Sequence, residues 1–194
     1  VLRNSLNFTG NFSKKSMLKY SLPVHVFTII MLIQAWVDIA VLYAFATNIS
    51  DIGIYFLVIS GVSILSIFYV PISMVILPAL SSRYSKDGLN GISPMANVYI
   101  RLVSKILIPI GFSFAALSVT AIEVAFGPQY VSGSIPFAIL GATIIVPALA
   151  LLMVTIIQSI GNTKPLIIIG ITSAIADIIL VTIFASSMGG IAGA

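Results

Sequence analysis

Five apolar segments, each long enough to cross a lipid bilayer, dominate the sequence. They lie at residues 17–47, 52–80, 98–122, 134–160 and 165–187. A membrane-spanning helix needs about 20 consecutive, mostly apolar residues. Only 7% of the residues are charged, whereas charged residues make up about 25% of a typical soluble domain. The sequence therefore predicts an all-α fold, a polytopic bundle with five complete transmembrane helices.

The segments at the two ends of the chain predict what surrounds these spans. Residues 1–16 are polar and basic, and we predict a cytoplasmic tail or linker that precedes the transmembrane bundle at 17–194. Residues 188–194 are small and rich in glycine, which is typical of a turn that leads into another element. We therefore expect the start of a sixth span there, and a longer protein around this chain.

All nine basic residues fall on one predicted side of the membrane. Four lie at or before the start of the first span, namely Arg3, Lys14, Lys15 and Lys19. Four lie between the second and third spans or just inside the third, namely Arg83, Lys86, Arg101 and Lys105. The ninth, Lys164, lies between the fourth and fifth spans. Because Lys and Arg are enriched on the cytoplasmic side, we predict a multi-pass plasma-membrane protein with its N-terminal tail in the cytoplasm. Membrane orientation also explains the net charge of +4, so nucleic acid is not expected as a partner.

The side chains that carry most enzyme chemistry are scarce in this sequence. It contains no cysteine and one histidine, which removes thiolate catalysis and cysteine metal sites. The connections between spans are also too short to build a catalytic site. We therefore predict that the chain is not an enzyme and that it needs no metal and no cofactor.

Two acidic residues lie inside predicted spans, Asp38 in the first and Asp177 in the fifth, and Gln34 precedes Asp38 by one helical turn. A charged side chain at the centre of a spanning helix costs about 2.5–3.5 kcal/mol on insertion scales. One hypothesis is that these residues line a hydrated, outward-opening cavity and exchange a proton or bind a cation. The alternative is a hydrogen-bonded carboxylic acid between two helices.

Arg101 and Lys105 are four residues apart near the cytoplasmic end of the third predicted span, so they share one helix face. Two cations on one face can bind a phosphate or pyrophosphate. The alternative is that both side chains extend to the headgroups of the inner leaflet.

Small residues recur at seven-residue intervals in two predicted spans. They are Ser134, Gly141, Ala148 and Thr155 in the fourth, and Ser104, Gly111 and Ser118 in the third. Such stripes let two helix backbones approach closely where lipid supplies no hydrophobic driving force. Prolines also occur inside the spans and predict either hinges or static kinks: Pro23, Pro71, Pro78, Pro109 and Pro147.

An ordered set of short phrases resembles a known transporter family. The phrases are KYSLP at 19–23, DIGIY at 51–55, LPALSSR at 77–83, FGPQY at 126–130 and IQSIGNTK at 157–164. Their order and spacing are similar to those of the polysaccharide flippase branch of the multidrug/oligosaccharidyl-lipid/polysaccharide exporter superfamily. The likeness covers nearly all of residues 17–194.

The resemblance implies one half of a twelve-helix transporter built from two six-helix bundles around a central cavity. This chain would be the second bundle, and its partners would be the first bundle, membrane lipid and a lipid-linked glycan. Two features depart from the family pattern. Asp38 is followed by Ile39 and Ala40, not by a basic residue, and the spans contain no Lys or Arg at mid-membrane depth.

The function implied by the resemblance is the transfer of a lipid-linked oligosaccharide from the cytoplasmic to the outer leaflet by alternating access. Arg101 and Lys105 would meet the lipid phosphate at the inner mouth, while Asp38 and Asp177 would set a proton or cation dependence. A cation-coupled multidrug antiporter of the same superfamily is the alternative. An alternative of another class is a non-transporting membrane scaffold or subunit, in which the cost of burying the two acids would be unexplained.

Overall fold

The computed structural model of the chain describes residues 14–45, 49–184 and 186. It contains eight α-helices there and no strand: α1 (Lys14–Phe45), α2 (Ile49–Ser63), α3 (Val70–Asp87), α4 (Ile92–Ala116), α5 (Ser118–Phe126), α6 (Ser134–Ala142), α7 (Ile145–Ile160) and α8 (Lys164–Phe184). The predicted all-α fold is confirmed for this part of the chain. Residues 14–16 of the predicted tail belong to α1, whereas 1–13 and the predicted start of a sixth span at 188–194 lie outside the described residues.

Three helical stretches within the described ranges are long and apolar enough to cross a membrane: Met17–Ala44, Val70–Ala116 and Lys164–Phe184. A fourth candidate is the pair Pro128–Ala142 and Ile145–Ile160, which is bent by 44° at its break. A shorter apolar helix covers Ile52–Phe68. The predicted membrane protein with several spanning helices is thus supported, while the predicted number of five complete spans is not confirmed.

The stretch Val70–Ala116 is not one straight rod. The hydroxyl groups of Ser73 in α3 and Tyr99 in α4 are hydrogen-bonded at 2.8 Å. A continuous helix would separate these two residues by about 39 Å at 1.5 Å per residue. The chain reverses at Gly88, whose φ of 61° is a conformation that other residues adopt only with strain. Consequently α3 and α4 lie side by side, as expected if two predicted spans meet between residues 80 and 98.

Two of the five prolines named above lie next to breaks in the helices. Pro71 follows a 3₁₀ turn at Ile64–Phe68 and stands in the first turn of α3. Pro147 deprives the carbonyl oxygen of Thr143 of its usual donor four residues later, and the N–H of Val146 donates to that oxygen instead, at 2.9 Å. At each break, backbone hydrogen bonds between residues three apart therefore replace the usual bonds between residues four apart. The remaining three prolines lie inside continuous helices α1, α3 and α4.

The core lies among α2 to α7 and is tied together by Tyr99, which is 1% exposed. Besides its bond to Ser73, the Tyr99 hydroxyl donates to the carbonyl oxygen of Ala148 in α7 at 3.2 Å. One phenol thus joins three helices in a region where neighbouring side chains are apolar. The sequence alone gave no reason to single out this tyrosine.

We expect Tyr99→Phe to destabilise the bundle by about 1 kcal/mol, because two interhelical hydrogen bonds are lost and each contributes about 0.6 kcal/mol on average in membrane proteins. Unfolding of the detergent-solubilised protein by increasing SDS measures this change. Tyr43→Phe is the matched control, since Tyr43 is 64% exposed and its variant should unfold as the parent does. Equal stability of both variants would show that the Tyr99 hydroxyl does not hold the helices together.

The predicted stripes of small residues are confirmed as packing surfaces. All four members of the α6–α7 stripe are buried, as are Gly111 and Ser118 of the other stripe, whose third member, Ser104, is half-buried. The closest approach joins α4 to α6, where a Cβ atom placed on Gly111 would lie 2.5 Å from the carbonyl oxygen of Gly141. Backbone therefore packs directly on backbone at this crossing.

Candidate functional site

Helices α1 and α8 form a parallel pair that carries the intramembrane acids. Near the start of both helices, the Thr163 hydroxyl donates to the carbonyl oxygen of Tyr20 at 2.9 Å. Half-way along, a Cβ atom placed on Gly170 would lie 3.0 Å from the ring of Phe27. Near their ends, the carboxyl groups of Asp38 and Asp177 lie within hydrogen-bonding reach of each other. Residue numbers at these three contacts increase along both helices, so the two helices run in the same direction.

The parallel arrangement also places two basic residues at one end of the helix pair. Lys19 adjoins Tyr20 at the start of α1, and Lys164 adjoins Thr163 at the start of α8. Both therefore lie at the same end of the helix pair, whereas the two acids lie toward the opposite end. This agrees with the predicted placement of Lys19 and Lys164 on one side. Which side faces the cytoplasm stays a prediction.

Three side-chain oxygens at this site are shielded from solvent and accept no hydrogen bond from any described residue. They are Oε1 of Gln34, Oδ1 of Asp38 and Oδ2 of Asp177. An ionised carboxylate can only accept hydrogen bonds. A bond between the two aspartates therefore requires one proton, which one carboxyl group carries and donates to the other. A single proton shared by the two carboxyl groups would also remove the repulsion between two like charges.

The structure brings Asp38 and Asp177 together across the α1–α8 pair. Gln34 lies one helical turn before Asp38 on α1, as its sequence position predicts. No described Lys or Arg lies within 4.0 Å of either carboxyl group; the ion pair at this distance is Arg83 with Asp87, at the end of α3. No group of three or more His, Cys, Asp or Glu residues among the described ones is arranged to hold a metal ion. Proton exchange, cation binding and a hydrogen-bonded acid that only joins the two helices all stay open for this site.

Tyr55 of α2 is a member of this site that the sequence analysis missed. It is half-buried, and its hydroxyl interacts electrostatically with both Asp38 and Asp177. A phenol can donate a hydrogen bond to a carboxylate. Tyr55 therefore places α2 near the acid pair. The sequence signal that could have pointed to Tyr55 is its place in the DIGIY phrase at 51–55.

Arg101 and Lys105 do not belong to the acid site. Both side chains are exposed on α4, whereas the two acids lie between α1 and α8. Their spacing of four residues in a continuous helix places them on one face, as predicted. The exposed arrangement is compatible with a phosphate and with lipid headgroups, so both interpretations remain open.

Comparison of this chain with protein-family models, with curated proteins and with solved structures finds no match.

Proposed function

We propose that the chain is part of a proton-coupled membrane transporter that moves a lipid-linked oligosaccharide from the cytoplasmic to the outer leaflet. The observation that carries the proposal is the pair of half-buried carboxyl groups, Asp38 and Asp177, which approach each other between two apolar helices. Acids inside membrane helices are costly and typically lie on proton or ion pathways. The oligosaccharide substrate rests on the resemblance of the sequence phrases to the flippase branch.

In the proposed mechanism the proton controls how closely α1 and α8 approach. With one proton, the carboxyl groups are bonded and the helices stay together at this end. Without it, two unit charges about 4 Å apart repel by about 4 kcal/mol at an effective dielectric constant of 20. Moving a two-state equilibrium from 1:99 to 99:1 takes about 5.5 kcal/mol. Release of the proton thus supplies most of the free energy needed to favour a second, open conformation.

Within this proposal the transporter requires a further helix bundle. Large apolar side chains are exposed on both helices of the pair, among them Ile29 and Trp36 on α1 and Ile175 and Ile179 on α8. A second bundle facing the α1–α8 pair would enclose the carboxyl groups in a central cavity. Arg101 and Lys105 would bind the phosphate of the lipid carrier at the mouth of this cavity.

The test is a transport assay with the full-length protein in proteoliposomes. A lipid-linked oligosaccharide on an undecaprenyl or dolichyl carrier is incorporated, and its exposure in each leaflet is measured with a glycan-modifying enzyme added outside. We expect faster transfer when a pH gradient is imposed and no acceleration when an ionophore dissipates it. Stable, correctly inserted protein without any transfer would favour the scaffold alternative.

A cation-coupled multidrug antiporter is the second candidate, and one observation favours it. The predicted spans hold two acids but no Lys or Arg at mid-membrane depth, a distribution that suits a cationic substrate better than a pyrophosphate. Competition in the same assay separates the two candidates. Inhibition by lipophilic cations, together with proton-driven efflux of those cations, would support the antiporter and reject the oligosaccharide substrate.

A further inference from the structure

A groove between α3 and α4 combines a polar end with an apolar end. It consists of two adjoining cavities of ≈ 620 Å³ and ≈ 460 Å³ that share Met95 and Val98 as lining residues. The larger cavity lies at the turn between the helices, next to Arg83, Asp87 and Asn90. Both volumes fall within the range of about 300–1,000 Å³ that is usual for small-molecule sites.

The smaller cavity extends from this polar end along the apolar surface of α3. Its other lining residues carry no charge and no side-chain hydrogen-bonding group: Pro71, Ile72, Val75, Ile76 and Ala79. A molecule that fills both cavities must therefore have a polar head and an apolar tail. In a membrane protein this is the shape of a phospholipid with one acyl chain lying along α3.

The width of the polar end is set by a glycine. A Cβ atom placed on Gly91 would lie 2.8 Å from the carbonyl oxygen of Arg83. Only glycine thus allows the end of α3 and the start of α4 to approach this closely. The backbone turn therefore places the residues that carry the cation, the acid and the amide close together around the cavity.

The charges at the polar end select the type of headgroup. Nη1 of Arg83 and Oδ2 of Asp87 are 3.9 Å apart, and both side chains are more than half exposed, at 61% and 52%. A guanidinium group binds phosphate well, and a carboxylate accepts hydrogen bonds from a primary ammonium group. An anionic headgroup would be repelled by Asp87, and a quaternary ammonium group has no N–H to donate.

We propose that this groove binds a zwitterionic phospholipid of the phosphoethanolamine type. The lipid phosphate contacts Arg83, the primary ammonium contacts Asp87, and the Asn90 amide bonds to the headgroup oxygens. One acyl chain lies against Val75 and Ala79. The site is on α3 and α4, separate from the acid pair on α1 and α8, and the proposal does not depend on what the protein transports.

Native mass spectrometry of the full-length protein, titrated with phosphatidylethanolamine, phosphatidylcholine or phosphatidylglycerol of identical acyl chains, tests this proposal. We expect phosphatidylethanolamine to bind about tenfold more tightly than the other two, the effect of one additional charge-assisted hydrogen bond. Equal binding of all three lipids would overturn the proposal. Preference for phosphatidylglycerol would overturn it too, and would point to an anionic lipid.

Two substitutions separate the roles of the paired charges. Asp87→Asn should weaken phosphatidylethanolamine binding about tenfold and strengthen phosphatidylglycerol binding, because the repelling charge is gone. Arg83→Gln should weaken the binding of all three lipids. Lys86→Gln is the matched control, since Lys86 is a neighbouring exposed cation that does not line either cavity. An Asp87→Asn variant with unchanged lipid preference, in protein that unfolds at the parent temperature, would contradict the assignment of the ammonium site.

Discussion

Transport by the Asp38→Asn and Asp177→Asn variants is expected to be about five- to 150-fold slower under a pH gradient. This factor corresponds to the loss of a coupling free energy of about 1–3 kcal/mol. Transport should also become independent of pH. Asparagine has nearly the shape of aspartic acid but cannot release a proton, so each variant keeps the helix pair bonded at every pH. The measurement is the initial rate of transfer in proteoliposomes between pH 5.5 and 8.5. Glu123→Gln is the control, because it removes an exposed acid on α5 and should leave the profile unchanged.

This experiment also distinguishes coupling from a purely structural hydrogen bond. In the structural alternative the Asp38–Asp177 bond only holds α1 against α8. Both asparagine variants would then transport with the parent's pH profile, and only their resistance to unfolding would change. A parent-like profile in either variant would therefore reject the acid pair as the coupling site. Tyr55→Phe gives a second measure, since loss of its hydroxyl should shift the profile without abolishing it.

Gly111→Ala is expected to destabilise the bundle by about 1–3 kcal/mol, the usual cost of overpacking a core. The added methyl group would lie 2.5 Å from the carbonyl oxygen of Gly141. Because this neighbour is backbone, a side-chain rotation cannot relieve the overlap, and α4 and α6 must separate. SDS unfolding and thermal unfolding of the purified protein both measure the change.

Gly53→Ala is the matched control for this prediction. Both glycines lie inside apolar helices, but no described atom outside the local helix lies within 4 Å of a Cβ placed on Gly53. Alanine favours helix over glycine by about 1 kcal/mol, so this variant should be as stable as the parent or more so. If Gly111→Ala behaves like Gly53→Ala, the close approach of α4 and α6 does not contribute to stability.

Much of the fold follows from local properties of the chain. Runs of about 20 apolar residues predict spanning helices because backbone groups in lipid must bond within the helix. Seven-residue spacing of small residues predicted close helix packing, which the structure shows where Gly111 meets Gly141, and the cost of burying a charge singled out Asp38 and Asp177. Each of these inferences depends only on residues that are close to one another in the sequence. The number of spans was harder to predict, because breaks at Tyr69 and Thr143 depend on how Pro71 and Pro147 are accommodated by bonds of adjacent turns.

The partnerships between distant residues come from tertiary packing alone. Helices such as α1 and α8 are apolar on nearly every side, so hydrophobic periodicity does not reveal which face meets which neighbour. Packing decided that Asp38 meets Asp177, that Tyr55 lies near both acids and that Tyr99 joins three helices. It also formed the groove beside Arg83 from two helices that reverse at Gly88. The physical reason is that membrane helices associate through shape and a few polar contacts, and these depend on three-dimensional register and not on composition.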